Sequence, residues 1–147
     1  MGEIYKGMHV SSGEPAAVKL LHRHALSRPD HVRRFLREAK AAASIDSPHV
    51  CRVIELGGLD AALPYMAMEL LSGQDLAELL RTRSRLSLRE VNRLVREIGA
   101  GLDDVRLAGI VHRDVNPRNV FALETDSGPS FKLLDFGVAK SIDASVA

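Results

Sequence analysis

The sequence predicts an α+β fold in which an antiparallel sheet carrying one helix is followed by a mainly helical region. Three observations lead there. The first half holds two pairs of short apolar runs separated by turn residues. A long stripe of helical period then begins at Leu88, and the last third breaks into short apolar pieces interrupted by polar clusters. The 147 residues, a net charge of +1 and 46% hydrophobic content describe an ordered globular chain and argue against disorder.

The elements follow in order. Ile4 to Lys6 and Ala16 to Leu21 read as two strands of a hairpin, joined through Ser11-Ser12-Gly13-Glu14-Pro15. A helix is expected to start near Ser27, with Pro29 and Asp30 in its first turn and Val32, Phe35, Leu36, Ala39 and Ala43 on one face. Glu38 shares the inward side of this helix, where an unpaired carboxylate is costly, so the pattern asks for a cationic partner. Val50 to Leu56 and Tyr65 to Leu71 suggest a second strand pair around Gly57-Gly58.

Ser72-Gly73 breaks the strand pattern, and a short helix is expected from about Asp75 to Arg81. Ser87 with Glu90 three positions later forms a capping-box signature. The helix it opens carries Leu88, Val91, Leu94, Val95, Ile98 and Leu102 as its apolar stripe and should stop near Gly109. Short strands are expected at Ile110-Val111, Val120 to Leu123 and Phe131 to Leu134, the last two joined by a turn at Asp126, Gly128 and Pro129.

Two polar interruptions carry chemistry: His112-Arg113-Asp114-Val115-Asn116-Pro117-Arg118-Asn119 and Asp135-Phe136-Gly137. They resemble the catalytic loop and the metal-binding motif of protein kinases. Upstream, Ala17-Val18-Lys19 resembles the lysine strand of that family, Glu38 its helix partner, and Met68-Glu69-Leu70-Leu71 its gatekeeper and hinge. Met1-Gly2-Glu3-Ile4-Tyr5 resembles the second half of the glycine-rich loop in bacterial members. On these motifs the chain resembles a catalytic-domain fragment of a eukaryotic-type (Hanks-type) bacterial serine/threonine protein kinase.

The resemblance implies a kinase-like small lobe over residues 1–68 without its first strand, a hinge at 69–73, and the first part of a large lobe over 74–147. It implies ATP and Mg2+ as cofactors and an ATP-dependent transfer to a protein hydroxyl. Lys19 would hold the ATP phosphates, with Glu38 paired to its ammonium. Asp114 would orient the hydroxyl and accept its proton, while Asn119 and Asp135 would ligate magnesium through hard oxygens. Gly2, Ile4, Ala17, Lys19, Glu69, Leu71 and Phe121 would line the nucleotide, and His112 and Phe136 would serve packing. Arg113 would pair with a phosphate on the activation segment, and Ser141 and Ser145 follow the metal motif where the family carries phosphosites.

The sequence departs from the family at Asn116, a catalytic-loop position where serine/threonine kinases usually place a lysine toward the transferring phosphate. The first strand, the leading glycines and the later large-lobe helices also lie outside the chain, so the long helix is expected to expose part of its stripe. These departures keep a second reading open, a pseudokinase-like module that binds nucleotide or a partner. A decayed gene product is a third, opposed by the retained Lys19, Glu38, Asp114, Asn119 and Asp135.

Composition excludes other classes. Basic residues are interleaved with acids, which gives no reason to expect nucleic acid, and Arg81, Arg83 and Arg85 read as a solvated connection. The single cysteine, Cys51, excludes an internal disulfide and reads as a buried thiol. No run approaches the roughly 18 apolar residues of a membrane span, and no signal peptide is evident, so a cytoplasmic chain is expected.

Overall fold

The computed structural model describes residues 2–22, 26–58, 63–134 and 140–141. It has two compact units, residues 1–44 with 52–71 and residues 45–51 with 72–147.

The first unit is a four-stranded antiparallel sheet with one helix. Strands β1 (Gly2–Met8), β2 (Pro15–Leu21), β3 (Val53–Gly57) and β4 (Tyr65–Glu69) lie in the order β1-β2-β4-β3. The hairpin turn is closed by His9 N–H donating to Glu14 O and Gly13 N–H to His9 O, both at 2.8 Å. Opposite residues in an antiparallel pair share a face. The register sets Ile4 beside Lys19 and Lys19 beside Met66, with Ala17 beside Met68.

Helix α1 (Pro29–Ala43) starts at the proline, whose fixed φ and missing N–H suit the first helical position. Its N-cap is Arg28, next to Ser27 where the start was expected, and it has no side-chain cap hydrogen bond. Phe35 and Ala39 pack with Leu21 and Met66 to form the core of this unit, flanked by Leu26, Val32, Leu36, Val53, Leu56 and Met68. Phe35 is the one aromatic side chain of that buried set, and burying such a side chain is worth about 1.5–3 kcal/mol.

The second unit contains β5 (Gly73–Asp75), α2 (Leu76–Arg83), α3 (Leu88–Leu107), β6 (Ile110–Val111), a 3-10 turn (Pro117–Asn119), β7 (Val120–Leu123), β8 (Ser130–Leu133) and β9 (Lys140–Ser141). Strands β5, β7 and β8 form one antiparallel sheet, and β6 pairs with β9. Asp75 caps α2 by accepting the Glu78 N–H at 2.9 Å. The capping box of α3 is complete: Glu90 N–H reaches Ser87 Oγ at 3.3 Å, and Ser87 N–H reaches Glu90 Oε2 at 2.7 Å.

Three elements went unread in the sequence: β5, β9 and the 3-10 turn. Each is two or three residues long; β5 and β9 owe their form to partners distant in the chain, and the 3-10 turn is closed locally by Asn116, whose O accepts the Asn119 N–H at 2.9 Å. The expected strand from Val50 to Leu56 also divides. Val50 makes a parallel bridge to Leu133, with Cys51 N–H donating to Leu133 O at 2.9 Å and Leu133 N–H to His49 O at 2.8 Å. Residues 45–51 thereby join the second unit, and β3 begins at Val53. Cys51 is buried, as its composition suggested.

The stripe of α3 divides in the same way. Ile98, Gly101 and Val105 are buried, whereas Leu88 (89% exposed), Val91 and Val95 face solvent. The buried face is the one that meets β8 and His49. A Cβ at Gly101 would lie 3.0 Å from His49 O and 3.2 Å from Leu133 Cδ1, so glycine permits that close approach. On the neighbouring face Arg93 donates to the carbonyls of Gly128 and Pro129 at 3.3 and 3.2 Å, and Glu97 accepts from Ser130 and Phe131. These side chains fasten the β7–β8 turn and the start of β8 to the helix.

Candidate active site

The loop between β6 and β7 draws His112, Asp114, Asn116 and Asn119 together. Arg113 turns the chain by adopting φ 65°, a left-handed conformation that costs a residue with a Cβ roughly 1–2 kcal/mol. Such strain is held where the surroundings over-determine it. Here the neighbours on both sides are fixed by hydrogen bonds.

His112 is 2% exposed. Its Nε2 lies 3.0 Å from Leu134 O, and its Nδ1 accepts the Asp114 N–H at 3.3 Å. A carbonyl can only accept and an amide N–H can only donate, so the pair of bonds selects the neutral tautomer with the proton on Nε2. The ring ties the backbone of Asp114 to the residue that precedes Asp135. Leu134 N–H also donates to Asn119 O at 2.8 Å. His112 was expected to serve packing, and it is buried; its ring also bonds the loop, and the signal was its place two residues before Asp114 in a polar run.

The Asp114 carboxylate is gripped from two sides. Asn116 Nδ2 donates to Oδ1 at 3.0 Å and Asn119 Nδ2 to Oδ2 at 2.9 Å, and the same two amides reach Asp114 O at 3.1 and 2.8 Å. Charge-assisted bonds of this kind are stronger than neutral ones. With Nδ2 of Asn119 committed, its Oδ1 has no hydrogen bond among the described residues and is a hard oxygen suited to magnesium. No cluster of three His, Cys, Asp or Glu side chains that could hold a metal occurs among the described residues. Phe121 is half-buried on β7, opposite Asp75 and Lys132.

The first unit holds the other candidates. Lys19 sits on β2 at only 9% exposure, where a lysine would ordinarily reach solvent, and it shares its face with Ile4, Ala17, Met66 and Met68. Gly2 opens β1 opposite Leu21. Glu69 ends β4, exchanging backbone and side-chain bonds with Arg52: its N–H donates to Arg52 O at 3.0 Å and its Oε1 accepts the Arg52 N–H at 2.8 Å. Leu71 follows outside any strand, and among the described residues its main chain makes no backbone hydrogen bond. The Glu38 position lies within α1, but its side chain is outside the described set, as are Asp135, Phe136 and Gly137.

The chain belongs to the protein kinase domain family, whose model matches residues 1–147. It is 34% identical over 146 residues to the serine/threonine-protein kinase pkn3 of Myxococcus xanthus, covering 99% of this chain and 27% of that protein. It is 33% identical over 149 residues to the serine/threonine-protein kinase PknA of Mycobacterium tuberculosis, covering 99% of this chain and 34% of the relative. Among solved structures, the Mycobacterium tuberculosis PknI kinase domain superposes with a TM-score of 0.78 at 32% identity, covering 95% of this chain and 56% of that one. The chain therefore spans only part of the length of its relatives, and its fold is that of part of a kinase domain.

Proposed function

We propose that the chain is the nucleotide- and magnesium-handling part of a serine/threonine protein kinase, moving the γ-phosphoryl group of ATP to a protein hydroxyl. The observation that carries this reading is the Asp114 carboxylate held by two amides, 3.0 Å from Asn116 Nδ2 and 2.9 Å from Asn119 Nδ2. A carboxylate fixed in this way is suited to orient a hydroxyl and take its proton. As the hydroxyl oxygen forms its bond to the γ-phosphorus, the bond from that phosphorus to the bridging oxygen breaks. The electron pair leaves on the diphosphate, and the hydroxyl proton passes to Asp114.

Lys19, buried on its strand, would neutralise the α- and β-phosphates, with Glu38 as its partner. Asn119 Oδ1 and the Asp135 carboxylate would hold magnesium, which when bound supplies positive charge to the phosphate oxygens. Gly2, Ile4, Ala17, Glu69, Leu71 and Phe121 would contact the nucleotide; the Leu71 main chain, without a backbone hydrogen bond among the described residues, would offer a donor and an acceptor to a base edge. No described helix is long and apolar enough to cross a membrane. A cytoplasmic setting follows from the need for ATP.

The second reading, a pseudokinase-like module that binds nucleotide or a partner without transfer, is favoured by one feature: position 116 carries an amide in place of the family's cation. Calorimetry with MgATP separates binding from its absence, with Lys19→Met and Asp135→Ala expected to abolish it. Radiolabel transfer to a generic protein substrate separates the two readings. Asp114→Asn should retain MgATP binding while transfer falls by about 100-fold or more. Binding with no transfer by the unaltered chain would favour the second reading, and no MgATP binding by the folded chain would sink the kinase reading.

A further inference from the structure

We infer that Asn116 is a positioning residue that acts through Asp114, rather than a contact to the transferring phosphate; this rests on the kinase reading above. Both ends of its amide are already committed. Nδ2 donates to Asp114 Oδ1 at 3.0 Å and to Asp114 O at 3.1 Å, while Oδ1 accepts the Arg118 N–H at 2.9 Å. The second bond caps the 3-10 turn, for which Asn116 is the N-cap residue. That turn in turn delivers Asn119, whose own amide grips the other carboxylate oxygen at 2.9 Å. Asn116 thus acts on Asp114 twice, directly and by fixing the turn that places Asn119.

The position demands a side chain that donates at one end and accepts at the other over a short reach. Lysine only donates and cannot cap the Arg118 N–H. Aspartate caps the turn but sets a like charge beside Asp114, and serine caps without reaching the carboxylate. Asparagine satisfies both demands, and reaching a phosphate would require it to abandon them.

Two readouts test this on the unaltered chain length. Hydrogen exchange followed by NMR needs no catalysis. The Arg118 amide should be protected in the wild type and in Asn116→Ser, and should exchange at least about tenfold faster in Asn116→Ala and Asn116→Lys. Transfer kinetics supply the second. Asn116→Ala should lower kcat about tenfold with KM for MgATP unchanged, and Asn116→Ser should fall similarly despite its intact cap. In an Asp114→Ala background, Asn116→Ala should cause no further loss.

An equal loss in both backgrounds, or a raised KM, would mean an independent phosphate contact and overturn the proposal. Unaltered kcat in Asn116→Ala, or an unprotected Arg118 amide in the wild type, would overturn it too. Protection without any transfer by the wild type would instead overturn the kinase reading and leave the brace standing.

Discussion

Glu97 Oε2 accepts the backbone N–H of Phe131 at 2.7 Å and the hydroxyl of Ser130 at 3.1 Å, joining the middle of α3 to the first residues of β8. Phe131 has no exposed surface. A carboxylate at this point satisfies a strand-edge donor that faces the helix rather than another strand.

Glu97→Ala should therefore leave the Phe131 N–H unsatisfied and destabilise the chain by about 1–3 kcal/mol. Glu97→Gln keeps an acceptor at the same reach and should cost less than half as much. Urea denaturation of the three proteins checks the order; equal losses in both variants would show that the hydrogen bond is not the cause.

Two glycines in α3 should respond oppositely to alanine. A Cβ at Gly99 meets no atom within 4 Å, so Gly99→Ala should gain about 0.5–1 kcal/mol from helix propensity alone. Gly101→Ala receives the same propensity gain but presses against His49 and Leu133, and should be neutral or destabilising. Thermal melts of the two variants side by side decide it, and a clear gain at Gly101 would show that α3 and β8 can separate freely.

Glu90 should give the acid limb of stability part of its shape. Hydrogen bonds from the Ser87 backbone and hydroxyl, then Arg83 at 2.9 Å, hold its carboxyl below the ordinary glutamate range. A lowered folded value stabilises above the unfolded value and loses that contribution as pH falls through the folded one. Glu90→Gln should flatten the acid decline of denaturation midpoint between the unfolded and folded values while changing little once pH lies below the folded one. An unchanged acid limb would sink the assignment.

His112→Leu should destabilise the loop beyond the loss of packing. It would leave Leu134 O and the Asp114 N–H, both part-buried, without their ring partner, a cost of about 1 kcal/mol for each. His112→Asn, which can still donate and accept, should recover part of that. Denaturation midpoints of both variants test the claim, and a leucine variant as stable as the wild type would reduce His112 to filler.

Features set by near neighbours were legible in the sequence. Ser87 and Glu90 announced a capping box because both partners lie within one helical turn, and the hairpin of β1 and β2 was marked by its own turn residues. The kinase family was legible from the order of its motifs, with Asp114 and Asn119 at a fixed spacing within one loop. What escaped depends on distant partners. The division of the α3 stripe is decided by β8, more than 20 residues further on, and Val50 leaves the expected strand because Leu133 offers it a parallel edge. The brace at Asn116 was invisible for a subtler reason: sequence shows an amide in place of a cation but not which end of it faces Asp114.

The placement of residues 45–51 has a bearing on how the chain comes apart. The polypeptide passes from one unit to the other at 44–45, returns at 51–52 and leaves again at 71–72. A single protease nick after Leu71 would not release two self-sufficient halves. Residues 45–51 would stay covalently attached to the sheet of the first unit, and the freed remainder would have lost by covalent attachment the short edge that Leu133 pairs with.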